Sequence, residues 1–222
     1  MELLNATDLV DLFRVISARV SEARGHLGDL DGAVGDADHG TSMADGFAAV
    51  VRGLQDAAAT GTSAGDLFPV AARSFLNAVG ATTGPLYASA FLRAGQGFAG
   101  QAQLPQAAMA DLVAAIAAGI AERGKAQPGD KTMMDAWAPA ARAALARRAE
   151  GGDALAVLAA ARDAASEGRD ATRAMVASKG RAARLGDRSL GHVDPGAASA
   201  VIILDALHEG LRGLALRRGG VA

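Results

Sequence analysis

The chain has 222 residues, 50% of them hydrophobic and 21% charged, with a formal net charge of −2 and no cysteine. Such a length buries a full core and favours one domain across residues 1–222. The balance of charge excludes a global pull on nucleic acid or membrane, and the missing thiols exclude disulfides, thiolate zinc sites and cysteine nucleophiles.

The opening residues Met1 to Asn5 have neither the basic head nor the apolar run of a signal peptide, and no segment reaches about eighteen uninterrupted apolar residues. A cytoplasmic protein without a membrane span is the expectation. From Asn5 to Arg24, Leu9, Leu12, Phe13, Ile16 and Val20 recur at steps of three and four. The spacing predicts an amphipathic helix with Asn5 as cap and Asp8 in its first turn, ending at Gly25 before an aspartate-rich loop. Met43, Phe47, Val50, Val51 and Leu54 restart the period, with Thr41 or Ser42 as the expected cap and N-terminal amides pointing back at the loop.

Thr60 to Gly65 reads as a turn, and Leu67 to Leu76 as a third helix with Pro69 in its first turns. Gly80-Ala81-Thr82-Thr83-Gly84-Pro85 then interrupts an apolar pattern that resumes at Leu86, Tyr87, Phe91 and Leu92, a candidate backbone-amide cradle opening a fourth helix. Leu112, Val113, Ile116 and Ile120 mark a fifth, stopped by Gly124. Beyond the turn-rich Lys125 to Lys131, Thr132 and Asp135 have capping-box spacing for a sixth helix through Trp137 and Leu145. Leu155, Leu158, Ala161 and Ala165 open a seventh, expected to run on towards Met175 and Val176 with Gly168 as a candidate interruption. Ser178 to Pro195 lacks apolar periodicity and carries Lys179, Arg181, Arg184, Arg188 and His192 among glycines, which suits a functional loop. Val201, Leu204, Leu207, Leu211 and Leu214 form the eighth helix. With no convincing period-two strand, the expected class is all-α: an up-and-down bundle or closed barrel of about eight antiparallel helices.

The chemistry concentrates between Leu30 and Phe47. Asp31, Asp36 and Asp38 sit among glycines that allow the backbone to bring their carboxylates together. Converging carboxylates repel unless neutralised, and oxygen ligands without thiols suit a hard cation such as Mg²⁺ or Ca²⁺, which fills its remaining positions from water and phosphate. Counting twelve positions from Asp31 or Asp36 reaches Ser42 or Phe47, not the glutamate of an EF-hand. A nucleophilic Asp-x-Asp motif expects a preceding hydrophobic strand, which is missing. Gly119 to Lys125 has Walker-like spacing, but Ala126 replaces the hydroxyl residue and the spacer is amphipathic helix. The histidines, His26, His39, His192 and His208, make no zinc-hydrolase pair. Arg181 is the best-suited phosphate contact of the basic loop, because guanidinium matches phosphate oxygens bidentately. Met133, Met134 and Trp137 read as core, with one of them available to flank an adenine.

Five separated segments, in order along nearly the whole chain, resemble one family. They are Gly-Asp-Ala-Asp-His-Gly at 35–40, Gly-Pro-Leu-Tyr at 84–87, Gly-Lys-Ala-Gln-Pro-Gly-Asp-Lys-Thr-Met at 124–133, Lys-Gly-Arg-Ala at 179–182 and Gly-His-Val-Asp-Pro-Gly-Ala at 191–197. Together they resemble the nucleotide-binding L subunit of dihydroxyacetone kinase, the DhaL family. The resemblance implies a closed barrel of eight antiparallel helices with ADP or ATP and two Mg²⁺ ions held by loops at one end. By motif position, Asp31, Asp36 and Asp38 would ligate the metal. His39, Gly40, Thr41, Ser42, Thr82, Thr83, Gly124, Met133, Arg181, Asp194, Pro195 and Gly196 would lie along the nucleotide, with Arg181 also the catalytic residue of a lid. Where family members carry Gly-Gly-Ala-Ser-Gly, this chain has Gly80-Ala81-Thr82-Thr83-Gly84, keeping the hydroxyl at Thr83.

The implied activity is phosphoryl transfer to dihydroxyacetone on a separate K subunit, from ATP or from ADP recharged by a phosphotransferase-system phosphocarrier. Rival readings are a kinase subunit for erythrulose or another short ketose, and a non-catalytic nucleotide-sensing regulator. An apolar barrel face leaves room for a homodimer; nucleic acid and membrane are not expected partners.

Overall fold

The computed structural model describes residues 2–80 and 82–219; Met1 and Ala81, the latter within the expected amide cradle, lie outside them. In chain order come β1 (Leu3–Leu4), α1 (Ala6–Glu22), α2 (Arg24–Gly32), α3 (His39–Ala59), α4 (Leu67–Ala78), α5 (Thr83–Gln96), β2 (Leu104–Pro105), α6 (Met109–Gly124), α7 (Met134–Ala149), α8 (Ala154–Ala171) and α9 (Pro195–Gly219). From α3 onward each helix packs on the next, α1 packs on α3, and α9 returns to α1, closing a barrel of eight antiparallel helices. The short α2 stands outside the ring and packs on α3 and α9. Alternation puts the C-terminal ends of α1, α4, α6 and α8 and the N-terminal ends of α3, α5, α7 and α9 at one end. Among the described residues no helix is long and apolar enough to cross a membrane.

Local chemistry explains most boundaries. Asn5 accepts from the Asp8 amide at 3.0 Å while Asp8 accepts from the Asn5 amide at 2.8 Å, a reciprocal capping box for α1. Asp153 caps α8 through the Ala156 amide at 2.8 Å. Apart from Trp137 on α7 and Phe98 just after α5, the few aromatic residues gather on α1, α3, α4 and α5, where Phe13 meets Phe91 at 5.7 Å and Phe47 meets Phe75 at 5.4 Å, both edge to face. On α7, α8 and α9 the fully buried positions include Ala136, Ala140, Ala144, Ala161, Ala165 and Ala200, so this side of the barrel is built largely from alanine, with Trp137 as its one large aromatic residue.

Two boundaries, one expected interruption and a short strand pair differ from expectation. The chain does not leave helix at Gly25: α1 ends at Glu22 and α2 begins at Arg24, so Gly25 and Gly28 are helical and Asp31 falls in the last turn of α2. Glycine is a poor helix former, and packing prevails, with Leu27 fully buried beside Val193 and Ala198. The seventh predicted helix, here α8, stops at Ala171 and does not continue to Met175. The Thr172 hydroxyl turns back onto the Arg169 carbonyl at 2.5 Å, and the chain leaves through a 3-10 turn over 172–174. Gly168 does not break α8; lacking a side chain, it lets α8 rest on the Asp135 carbonyl and Pro139 of α7. A strand pair also exists, Leu3 opposite Pro105 and Leu4 opposite Leu104, too short to show a period.

Candidate functional site

The aspartate loop lies at the barrel end where α3 begins. The predicted cap by Thr41 or Ser42 is replaced by a more distant one. The Asp31 carboxylate accepts from the amides of Asp38 at 2.9 Å and His39 at 3.2 Å, so α3 starts at His39 and its first amides are held from the end of α2. Ala37, with φ +62°, makes the reversal between them. A Cβ at Gly35 would strike the Asp31 carboxylate, and one at Gly40 would strike the Arg24 carbonyl, so both positions require glycine for close approach. Asp31 is 9% exposed, whereas the side chains of Asp36 and Asp38 are about half exposed, at 48% and 51%. One oxygen from each of the three lies within 4.8 Å of the others.

The facing wall comes from the connection before α7 and the segment before α9. Asp135 accepts from the Gly129 amide at 2.5 Å and the Thr132 amide at 2.7 Å, while the Met134 amide donates to the Thr132 hydroxyl at 3.1 Å. The predicted capping box forms by half: Asp135 holds the Thr132 amide, but the Asp135 amide donates to the Thr132 carbonyl and not to its hydroxyl. Lys131, at φ +60° and 1% exposed, sends its ammonium to the carbonyls of Thr172 at 2.5 Å and His192 at 2.6 Å. Burial pulls the Lys131 pKa down, against the opposing pull of Asp194 and Asp135. Asp194 caps α9 through the Ala197 amide at 2.7 Å, with Pro195 in the first helical position. Burial pushes its carboxyl up to about 7. His39 Nε2 reaches Ser199 Oγ on α9 at 3.0 Å and so links the two walls; burial lowers its pKa, opposed by the Asp31 charge.

The basic segment between Thr172 and Asp194 arches over this cleft. Gly180, Gly186 and Gly191 take positive φ, and 3-10 turns occupy Ala182–Ser189. It is fastened at several points: Ser178 to the Asp130 side chain at 2.6 Å, the Ala177 amide to Ser189 Oγ at 2.9 Å, and the Gly191 amide to the Arg173 carbonyl at 2.8 Å. Arg181 extends across the cleft and ion-pairs with Asp36 and, at 3.3 Å, with Asp38. A guanidinium seated on two of the three carboxylates shows that the cluster draws a positive charge.

A cleft of about 250 Å³ runs between the walls. Asp31, Asp36, Asp38, His39, Thr82, Thr83, Gly124, Met133, Arg181, Asp194, Pro195 and Gly196, all singled out from sequence, line it together. Gly40, Thr41 and Ser42 do not. Gly40 is buried against α2, the Thr41 hydroxyl accepts from Arg24 Nε at 3.3 Å, and the Ser42 amide is spent on the Asp38 carbonyl. Sequence reasoning missed Leu86, Ile120, Lys131 and Thr132 as lining residues. Of these, Lys131 had a signal: a lysine in a turn at the threshold of an apolar helix. One part of the lining is charged and another, with Val34, Leu86, Ile120 and Met133, is apolar. The metal-ligand chemistry also fits, since three carboxylates with no nitrogen or sulfur donor among them suit a hard divalent cation.

The family model described as "DAK2 domain" matches residues 33–209. The chain is 34% identical over 197 residues to the PEP-dependent dihydroxyacetone kinase 2, ADP-binding subunit DhaL, of Listeria innocua, covering 89% of this chain and 91% of that one. It is 33% identical over 206 residues to the L-erythrulose 1-kinase of Mycolicibacterium smegmatis, covering 93% of this chain but 36% of the relative. In structure it is similar to the dihydroxyacetone kinase from C. freundii in complex with AMP-PNP and Mg²⁺, with a TM-score of 0.67, 26% identity and 90% of this chain covered. The chain spans about a third of that kinase's length, 33%.

Proposed function

The chain belongs to the DAK2 domain family, and from that premise we propose that it is the nucleotide-binding, DhaL-type subunit of a dihydroxyacetone kinase, acting as one domain across residues 1–222. The observation that carries the reading is the cleft itself. It sets three clustered carboxylates against an apolar pocket and covers them with an arginine-bearing lid, the charge pattern of a nucleotide with its phosphates neutralised at one end.

Asp31, Asp36 and Asp38 would hold Mg²⁺, two ions in this reading, whose charge when bound offsets that of the phosphate oxygens. Thr82, Thr83 and the start of α5 stand beside the phosphates. Leu86, Ile120, Gly124 and Met133 form the apolar wall for the base. Arg181 exchanges its carboxylate partners for the transferring phosphoryl group and excludes water when the lid is down, since positioning and charge stabilisation dominate phosphoryl transfer.

The acceptor is dihydroxyacetone on a separate K subunit. The similarity to a PEP-dependent subunit favours ADP as a resident coenzyme recharged by a phosphotransferase-system phosphocarrier, over direct use of ATP. A cytoplasmic location belongs to the same reading. The similarity to an erythrulose kinase supports a second reading in which the acceptor is a four-carbon ketose; a substrate panel with the cognate K subunit separates the two. Calorimetry with Mg²⁺ and ADP on wild type and Asp36→Ala tests the nucleotide site. Undiminished binding in the variant, or none in either protein, would sink it.

A further inference from the structure

Lys131 is the one buried lysine among the described residues, and its ammonium contacts two backbone carbonyls from distant parts of the chain. Those carbonyls mark the two roots of the lid. Thr172 is where α8 hands over to the basic segment, and His192 is where that segment returns to α9. The roots also touch each other, because the Asp194 amide donates to Thr172 Oγ at 3.0 Å. A third fastening comes from the same turn, where the residue preceding Lys131, Asp130, accepts from the Ser178 amide at 3.1 Å and from its hydroxyl. Among the described residues, the hydrogen bonds and ion pairs between these points tie the lid only to itself and, through Arg181, to the aspartates.

We infer that Lys131 is a positioning residue: it staples both roots of the 173–193 lid to the turn before α7 and thereby sets where Arg181 reaches across the cleft. A lysine suits this task because an ammonium carries three donors on a flexible stem and can serve two carbonyls at once. Burial works against its charge, and Asp135 and Asp194 lie close enough to oppose that effect. Only the functional consequence rests on the nucleotide reading above; the anchoring itself does not.

Amide hydrogen exchange on the full chain tests the anchoring. In wild type the hydrogen-bonded amides of Met175, Ala177, Ser178 and Gly191 should exchange slowly. In Lys131→Met they should speed up by about tenfold or more while those of Tyr87 to Phe91 in α5 change less than about twofold. Lys131→Arg, which keeps the charge and donors, should fall between, and it carries the test alone should the methionine variant fail to fold. Unchanged lid exchange in these variants, or equal acceleration in α5, overturns the inference. Mg²⁺–ADP affinity then reads the consequence through a double-mutant cycle. Lys131→Met should cost about fivefold or more beside Arg181 but less than about twofold in Arg181→Ala, since a residue acting through Arg181 has nothing left to position. Equal costs in both backgrounds overturn it as well. Absence of Mg²⁺–ADP binding in wild type would count against the nucleotide reading, and the exchange pattern would still decide the anchor.

Discussion

The two walls of the cleft handle charge in opposite ways. On the aspartate wall, Asp36 and Asp38 are half exposed and, among the described residues, their only cationic partner is Arg181 of the basic segment. On the facing wall, Lys131, Asp135 and Asp194 are buried and spend their hydrogen-bonding capacity on backbone groups fixed by the fold. A surface that leaves charge unsatisfied is prepared for a ligand, whereas a network that satisfies its own charge is part of the scaffold. Asp31 belongs to both, since one of its oxygens caps α3 and its carboxylate completes the acidic cluster.

Substitutions on the two walls should therefore fail differently. The largest effect is expected for Asp135→Ala, which frees the Gly129 and Thr132 amides and strips a counter-charge from Lys131. Urea unfolding should show a loss of about 3 kcal/mol, and a loss below about 1 kcal/mol would break the view of this wall as scaffold. Next comes Asp36→Ala, for which Mg²⁺–ADP affinity should drop about 100-fold, or ~2.7 kcal/mol. Its unfolding free energy should stay within about 0.5 kcal/mol of wild type, because an exposed ion pair contributes little.

A third effect depends on pH. The carboxyl of Asp194 is raised from 3.8 to about 7 by burial, so the folded form keeps a proton that the unfolded chain releases. Stability should fall as pH rises through that window, by on the order of 2 kcal/mol between about pH 5 and 7, and Asp194→Asn should lack the slope. Unfolding titrations at the two pH values, without nucleotide, measure the difference. The smallest effect sharpens the comparison most. Asp31→Ala should lose about 1 kcal/mol of stability with its cap, in addition to the binding defect shared with Asp36→Ala; stability equal to that of Asp36→Ala would assign Asp31 to the ligand side alone.

The ring helices were legible in sequence because each buries a broad apolar stripe with a regular period, as Leu9 to Val20 and Leu112 to Ile120 show. The acidic cluster was legible because its members lie within eight positions of one another. What escaped depends on longer reach or on packing. The start of α3 is set by Asp31, outside any standard cap spacing, and α2 survives three glycines because Leu27 is buried against Val193 and Ala198. Lys131 meets Thr172 and His192 across 41 and 61 residues, a link that no local pattern encodes. Gly40, Thr41 and Ser42 followed the aspartates in sequence but do not line the cleft; Gly40 and Thr41 meet Arg24 of α2 instead.

At the end of the barrel remote from the cleft, Arg218 in the last turn of α9 donates to the Leu3 carbonyl at 2.9 Å and binds Asp8 at 2.6 Å, beside the β1–β2 pair. With α9 also packed on α1, the helices form a loop without a privileged first member. A circular permutant spliced between these neighbouring ends and reopened in the exposed turn at Thr60–Gly61 should run the same ring of helices. Every loop that builds the cleft would remain uncut. Connectivity at the far end is thus separable from the loops that build the cleft.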